Sequence, residues 1–293
     1  MDQKKLIVID GFSLLYRAFH ALPPLSHKGQ MTGAVYGFLL TLFRAIKDVQ
    51  ATNVVACFDT KKATFRHEKF EEYKAHRAPM PEGIASQIPI MKEVLEVLHI
   101  PVFAVEGFEA DDIIATIATQ TQDKAEIFIL SGDLDNLQLV NDKVKLYTLG
   151  KSIKDSVIYD TARVVERFGV QPSQMNDFKA LTGDASDNIP GVPGIGKTTA
   201  ADLIQRYESI ENLYQELSTD TAVLKPKVKE ALKTNKDKAM LSLELVKTRQ
   251  DVPVDFSLAA CQFGTFDQEK AKTQFYNLGF NTLVDRLSSI VKP

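Results

Sequence analysis

Three short apolar runs, each followed by an aspartate, constrain this chain more than any other feature. Leu6-Ile7-Val8-Ile9 ends at Asp10, and Asn53-Val54-Val55-Ala56-Cys57-Phe58 ends at Asp59. Ile127-Phe128-Ile129-Leu130 leads through Ser131-Gly132 to Asp133. Continuous apolar runs of this length read as strands buried on both faces. Helix-period segments over 34–49, 84–98 and 109–121 separate them, with further strands predicted at 101–105 and 144–149. Such alternation predicts an α/β fold, a mostly parallel sheet with helices on both faces. Sheets of this kind bind ligands beyond the carboxyl ends of their strands, which is where the three aspartates stand.

Six further acids join them. Glu109, Asp111 and Asp112 open a helix, with Glu109 and Asp112 three apart and so on one face. Asp135 lies two residues past Asp133, and Asp184 and Asp187 flank a turn before a glycine-rich stretch. Any one aspartate is more often a helix cap or a solvated surface group. Three strands ending in aspartate plus an acidic helix start make a less ordinary set. Carboxylates crowded into one cleft raise one another's pKa values, and divalent cations relieve that repulsion. Oxygen donors without paired His or Cys spacing select hard ions such as Mg²⁺ or Mn²⁺. Two such ions about 4 Å apart can activate a water and stabilise the leaving oxygen of a phosphodiester.

The length of 293 residues allows two moderate domains, expected at 1–160 and 161–293. Beyond about residue 156 the pattern turns helical, over 161–168, 172–181, 198–207 and 227–246, with a helix–loop–helix tail at 267–287. No run approaches the roughly 18 apolar residues of a membrane span. The short apolar run near the start lacks a cleavage site, so a cytoplasmic protein away from membranes is expected. The two cysteines, Cys57 and Cys261, suit a reducing compartment.

The net charge of −3 argues weakly against nucleic acid, but the average hides local basic stretches. Residues 61–77 carry six Lys and Arg against three Glu, 6 − 3 = +3, interleaved with Phe65, Phe70 and Tyr73. Such interleaving suits a groove that tracks a single strand and stacks its bases. Lys74 and Arg77 are placed to meet a scissile phosphate together and stabilise its developing charge. A solvated amphipathic helix is the plainer account of the same residues. A second basic stretch covers Lys225 to Lys238.

Gly191 to Thr198 formally matches the P-loop pattern G-x-x-x-x-G-K-[ST]. That motif needs a preceding apolar strand, and residues 182–190 are not one. A hairpin between two helices fits better, spanning about 177–207 with its turn at 192–196. Gly194 and Gly196 would let phosphates approach backbone N–H groups, with Lys197, Thr198 and Thr199 adding donors at a helix start. Such a grip holds a DNA backbone without reading sequence.

Together these motifs resemble the 5′–3′ exonuclease domain of bacterial DNA polymerase I, a branch of the flap endonuclease family. The likeness rests on Val8 to His20, Phe65-Arg-His-Glu with Tyr73-Lys-Ala-His-Arg77, Gly107 to Asp112, Ser131 to Asp135 and Leu181 to Thr198. It covers about residues 4 to 290. It implies a structure-specific nuclease acting on 5′ flaps, nicks and gaps in DNA, with RNA primer strands as further substrates. It also implies a PIN-like core with a helical arch at about 60–85 and a helix–hairpin–helix region. By that resemblance Asp59, Asp112 and Asp133 surround a first ion, with Asp10, Glu109 and Asp111 nearby. Asp135, Asp184 and Asp187 form a second site, and the hairpin turn holds K⁺. Lys74 and Arg77 match the arch's basic pair. Tyr16, Arg17, Arg66 and Tyr73 handle bases and phosphates around the cut. Phe12 and His76 depart from the family's usual residues without removing a ligand. A free-standing monomeric enzyme is expected rather than a polymerase fragment. A PIN-type endoribonuclease and a non-catalytic DNA-junction module are the competing readings.

Overall fold

The computed structural model describes residues 3–150 and 155–291. Among the described residues eight strands form: β1 (Lys5–Asp10), β2 (Ser26–His27), β3 (Gln30–Met31), β4 (Asn53–Cys57), β5 (Val102–Phe103), β6 (Glu126–Leu130), β7 (Val144–Leu149) and β8 (Ser156–Tyr159). Six of them make one sheet in the order β5-β4-β1-β6-β7-β8, parallel except for the antiparallel pair β7–β8. The chain builds outward from β1 through β4 to β5, then crosses back to add β6 on the other side. The crevice beyond β1 is therefore the topological switch point.

Alternate residues of β1 serve opposite faces. Leu6 and Val8 join the core with helix Ala110–Thr121, while Ile7 and Ile9 join the core with helices Gly11–Ala21 and Gly33–Val49. Both faces are covered, which is why the strand sequence is continuously apolar. The last helices, Gln268–Asn277 and Asn281–Ile290, return to this second face. There the rings of Phe43 and Phe275 lie 6.0 Å apart, and the Tyr36 and Thr282 hydroxyls share a 2.9 Å hydrogen bond. Among the described residues no helix is long and apolar enough to cross a membrane.

The sequence pattern and the structure differ in places with identifiable causes. The helix predicted over 84–98 is two, Glu82–Ala85 and Ile88–Val97. Between them Gln87 is fully buried, accepting from the Ala34 N–H at 2.9 Å and donating to the Gly83 carbonyl at 2.7 Å. That buried amide satisfies the start of helix Gly33–Val49, a role periodicity does not show. The 227–246 segment divides at Asn235 into Pro226–Thr234 and Lys236–Val246. Helices Gly11–Ala21 and Ile210–Ser218 and strands β2, β3 and β8 were not anticipated.

The helical arch expected at about 60–85 needs correction, because only Phe65–Lys69 and Glu82–Ala85 are helical there. Residues 71–76 run through turns. Lys74 adopts a left-handed backbone with φ 56°, and Pro79 and Pro81 follow. Neither is compatible with a continuous helix.

Candidate active site

Asp10 ends β1 and caps helix Gly11–Ala21. One carboxylate oxygen accepts from the Ser13 N–H at 3.1 Å and the other from the Ser131 hydroxyl at 2.7 Å. Gly11 lets this turn pass under Phe58, since a Cβ there would lie 2.0 Å from the Phe58 ring. Asp59, just past β4, accepts from the Ala110 N–H at 2.8 Å and so tops helix Ala110–Thr121. Asp111, on that helix, accepts from the Asn136 side chain at 2.9 Å. Asp133, just past β6, accepts from the Asp135 N–H at 2.9 Å. These four acids line one cleft of about 1590 Å³, together with Tyr16, Arg17, Lys74 and Arg77. Three adjacent strands and one helix start thus deliver four carboxylates to the switch point.

The remaining predicted acids stand outside that cleft lining, each against a cation. Lys179 contacts Asp135 and lies 2.7 Å from Asp184. Lys74 lies 2.8 Å from Glu109 and 3.7 Å from Asp187, and Arg77 also pairs with Asp187. The Tyr73 hydroxyl donates to both Glu109 (3.0 Å) and Asp187 (3.2 Å). Backbone contacts tie the same pieces together: the Lys74 N–H donates to the Asp187 carbonyl at 3.0 Å. Asn188 donates to the Glu72 carbonyl at 2.8 Å. The 64–77 segment is thereby hooked onto the 184–191 loop.

Three of the predicted site residues are buried and held by protein groups. Asp112 is fully buried, and Arg66 grips it with two 2.8 Å hydrogen bonds while the Arg249 N–H adds a third. It faces the protein interior rather than the cleft. Arg66, expected at DNA, is 2% exposed and also donates to Glu109 and to the carbonyls of Leu245 and Lys247. A guanidinium with every edge occupied clamps the base of this segment to the core. Tyr73, expected to stack a base, is buried with its hydroxyl on the two acids. Arg17 keeps its place in the cleft wall but holds the Leu149 carbonyl at 2.9 Å.

The hairpin turn contributes no residue to the lining of the cleft. Val192 and Ile195 anchor it inside, while Gly194 and Gly196 face open space. Gly194 has φ +87°, and Gly196 caps helix Lys197–Tyr207 without any side-chain cap. The first N–H groups of that helix, on Lys197, Thr198 and Thr199, therefore have no side chain over them from the cap residue. Sequence reasoning missed Lys179, Ser131, Asn136 and the carbonyls of 245–247. Ser131 carried a signal, two residues before Asp133, and Lys179 a weak one, five residues before Asp184; Asn136 and the 245–247 carbonyls carried none, because their partners are remote in the chain.

Electrostatics sets Asp184 apart from Asp10, Asp59, Asp111 and Asp135. Burial pushes the Asp10 carboxyl up to about 6, with the charge of Asp59 adding to the rise. Burial, then Asp10 and Asp133, drive Asp111 well above the usual carboxylate range. Asp59 is also raised, by burial first. Asp135 is pushed up to about 7 by burial and by Asp133, even with Lys179 upon it. Asp184 goes the other way: burial opposes its charge, but Lys179 and Ser186 outweigh it and hold the group near 2. Burial likewise opposes the charge of Lys74, and Glu109 and Asp187 outweigh that. Among the described residues no three ligand-type side chains already converge on one ion position. The donor chemistry nonetheless fits hard divalent cations: carboxylate oxygens, under-neutralised, at the mouth of a wide cleft.

Residues 5–169 match the family of 5′–3′ exonuclease N-terminal resolvase-like domains, and residues 170–269 match the C-terminal SAM fold of the same enzymes. The chain belongs to the 5′–3′ exonuclease family. It is a nuclease with a PIN-like α/β core followed by a SAM-like helical part. DNA polymerase I of Bacillus subtilis is 41% identical over 288 residues, 98% of this chain and 32% of that protein. The chain thus spans about a third of the length of the curated relatives it matches. T5 5′-exonuclease with divalent zinc ions bound shares the fold with a TM-score of 0.67 and 22% identity, over 98% of each chain. The catalytic core of Rad2 in complex with DNA substrate does so with a TM-score of 0.62 and 16% identity, over 99% of this chain and 93% of that one.

Proposed function

We propose that this chain is a structure-specific 5′ nuclease, acting as flap endonuclease and 5′–3′ exonuclease on DNA in replication and repair. One observation carries the reading: Asp10, Asp59, Asp111 and Asp133 line a single cleft at the strand ends, with Lys74 and Arg77 in its wall. The relatives' own ligands, zinc in one and a DNA substrate in another, support it.

On this reading the four cleft carboxylates, with Glu109 beside them, hold a first Mg²⁺ or Mn²⁺. Asp135, Asp184 and Asp187 serve a second. Bound there, divalent ions supply Lewis acidity toward the scissile phosphodiester and lower the pKa of a water. The chain's own part is positioning and charge. Ser13 and Ser131 fix both oxygens of Asp10, and Ala110 and Asn136 fix one oxygen each of Asp59 and Asp111. Lys74 and Arg77, now on Glu109 and Asp187, turn to the phosphate when it enters and stabilise its developing charge. Tyr16, half-buried in the cleft wall, offers a ring to an unstacked base. Arg17 and Arg66 act by holding protein carbonyls and acids in place. The N–H groups of Gly194, Gly196 and Lys197 to Thr199 take backbone phosphates of the duplex, with K⁺ at the turn; the Ile195 N–H is spent on the Val192 carbonyl at 3.0 Å. The protein works as a monomer in the cytoplasm.

The deciding experiment is cleavage of an end-labelled 5′-flap DNA and its RNA counterpart, with and without Mg²⁺. Mg²⁺-dependent release of the DNA flap is expected. Preference for RNA would make the chain an endoribonuclease, and tight DNA binding without cleavage under any divalent ion would make it a junction-binding module.

A further inference from the structure

Lys179 sits on the last turn of helix Met175–Thr182 with only 15% of its side chain exposed. Its ammonium touches Asp135 and stands 2.7 Å from Asp184. These carboxylates come from separate parts of the chain: one from the 3-10 turn Leu134–Leu139 after β6, the other from the loop before the hairpin. Among the described residues the ion pairs of both are to Lys179. Burying two acids demands a counter-charge, and a single ammonium supplies half of what two carboxylates need. The cleft acids have no such companion: Asp10, Asp59, Asp111 and Asp133 make no ion pair at bonding distance among the described residues.

We propose that Lys179 is a resident counterion that holds Asp135 and Asp184 together in the metal-free protein and must be displaced before a divalent ion binds between them. The inference rests on the second-ion reading given under Proposed function, and adds a competitor to it. The surroundings suit an exchange. The other oxygen of Asp184 is held by the Ser186 N–H at 2.9 Å and by the Ser186 hydroxyl. Asp184 therefore keeps its orientation when the ammonium leaves. A lysine is the residue for such a place, because its long flexible stem carries a point charge that can swing out along the helix surface. An arginine would lock both acids with a planar fork, as Arg66 locks Asp112. Loading is then ordered: the unpaired cleft acids take an ion first, and the Lys179 pair takes one only after exchange.

The test is Mn²⁺ titration of the whole chain without DNA, followed by electron paramagnetic resonance of the free ion, for the wild type, Lys179→Met and Lys179→Arg. The wild type is expected to show a tighter and a weaker class of site. Lys179→Met should tighten the weaker class roughly tenfold, the scale on which a residue in contact with metal ligands is felt in metal affinity. The tighter class should move by less than about twofold, the range of a remote charge. Lys179→Arg should leave the weaker class as weak or weaker, which separates local competition from general charge removal. A weaker class unchanged or loosened in Lys179→Met overturns the proposal. Circular dichroism checks that Lys179→Met folds; if it does not, Lys179→Gln takes its place, with Mn²⁺-dependent rise in Tm as the second readout. That rise should be larger in the variant than in the wild type, and an equal or smaller rise overturns the proposal as well. A wild type that binds no Mn²⁺ at all would overturn the metal reading itself, and the proposal with it.

Discussion

Two sets of acids in this protein are built on opposite plans. At the strand ends Asp10, Asp59, Asp111 and Asp133 face a common cleft, held by hydrogen bonds from hydroxyl, amide and backbone groups rather than by cations. A turn away, Glu109, Asp135, Asp184 and Asp187 are each closed by Lys74, Arg77 or Lys179. Asp112 goes furthest, sealed against Arg66 with no exposure. The difference teaches that a count of nine carboxylates says little about function until their counter-charges are known. Open acids are available to ligands, while closed acids are either structural or conditional.

The comparison can be broken most sharply at the open set. Asp59→Asn or Asp111→Asn should leave DNA binding near the wild-type level and slow single-turnover flap cleavage on the order of a thousandfold, as loss of a preorganised charge in a catalytic centre does. Cleavage within a few-fold of wild type would show that the open acids are not the working ones. Next comes the sealed pair. Arg66→Met strands the Asp112 charge and should cost about 3 kcal/mol in urea unfolding, whereas Arg66→Met with Asp112→Leu should recover much of it. If Asp112→Leu alone loses a Mn²⁺ site without losing stability, Asp112 belongs with the open acids after all.

Lys74 tests the conditional set. Lys74→Ala should reduce the chemical step about a hundredfold and DNA affinity far less. Equal losses in both would make it a phosphate anchor. A smaller effect concerns pH. With Asp10 at about 6 and Asp135 at about 7, the folded protein keeps protons that the unfolded chain releases near 3.8. Their contribution is present at low pH and is lost as pH rises through those values. In the presence of a chelator, Tm should therefore fall between about pH 5 and about pH 7.5, and saturating Mg²⁺ should remove most of that fall. A chelated protein that gains stability over that range would contradict the buried-acid account. The smallest effect is expected at the hairpin, where Gly194→Ala strains a φ of +87° and should weaken DNA binding a few-fold while leaving the cleavage step unchanged. DNA affinity should also fall steeply with salt, and a flat response would argue against backbone tracking.

The open set was legible in the sequence, because a strand that ends in aspartate at a sheet's carboxyl edge is a local pattern. Asp111 followed from the acidic helix start. The closed set was visible as acids but not as closed, since Lys179 lies 44 residues from Asp135 and Arg66 lies 46 from Asp112. Residues 61–77 illustrate the same limit. Their charge and aromatic content suggested a solvated groove, and the structure spends Arg66 and Tyr73 indoors while Lys74 and Arg77 stay near the cleft. Periodicity placed the helices it named within a turn or so, missed Gly11–Ala21 and Ile210–Ser218, and could not see Gln87 dividing one of them, because its partner Ala34 belongs to another element.

The register of the sheet has a consequence for how such a chain tolerates insertions and deletions. Asp10 pairs with Cys57 across β1–β4, and Ile9 pairs with Leu130 across β1–β6. Neighbouring strands sit about 4.8 Å apart, so the lateral spacing of the cleft acids is ruled by the sheet itself. Beyond Asp59 and Asp133, the loops that join these strands can lengthen or shorten without moving that ruler. One residue added inside β1 would instead swing every following side chain to the opposite face and carry Asp10 out of the cleft. Length variation is thus cheap between the strands and forbidden within them.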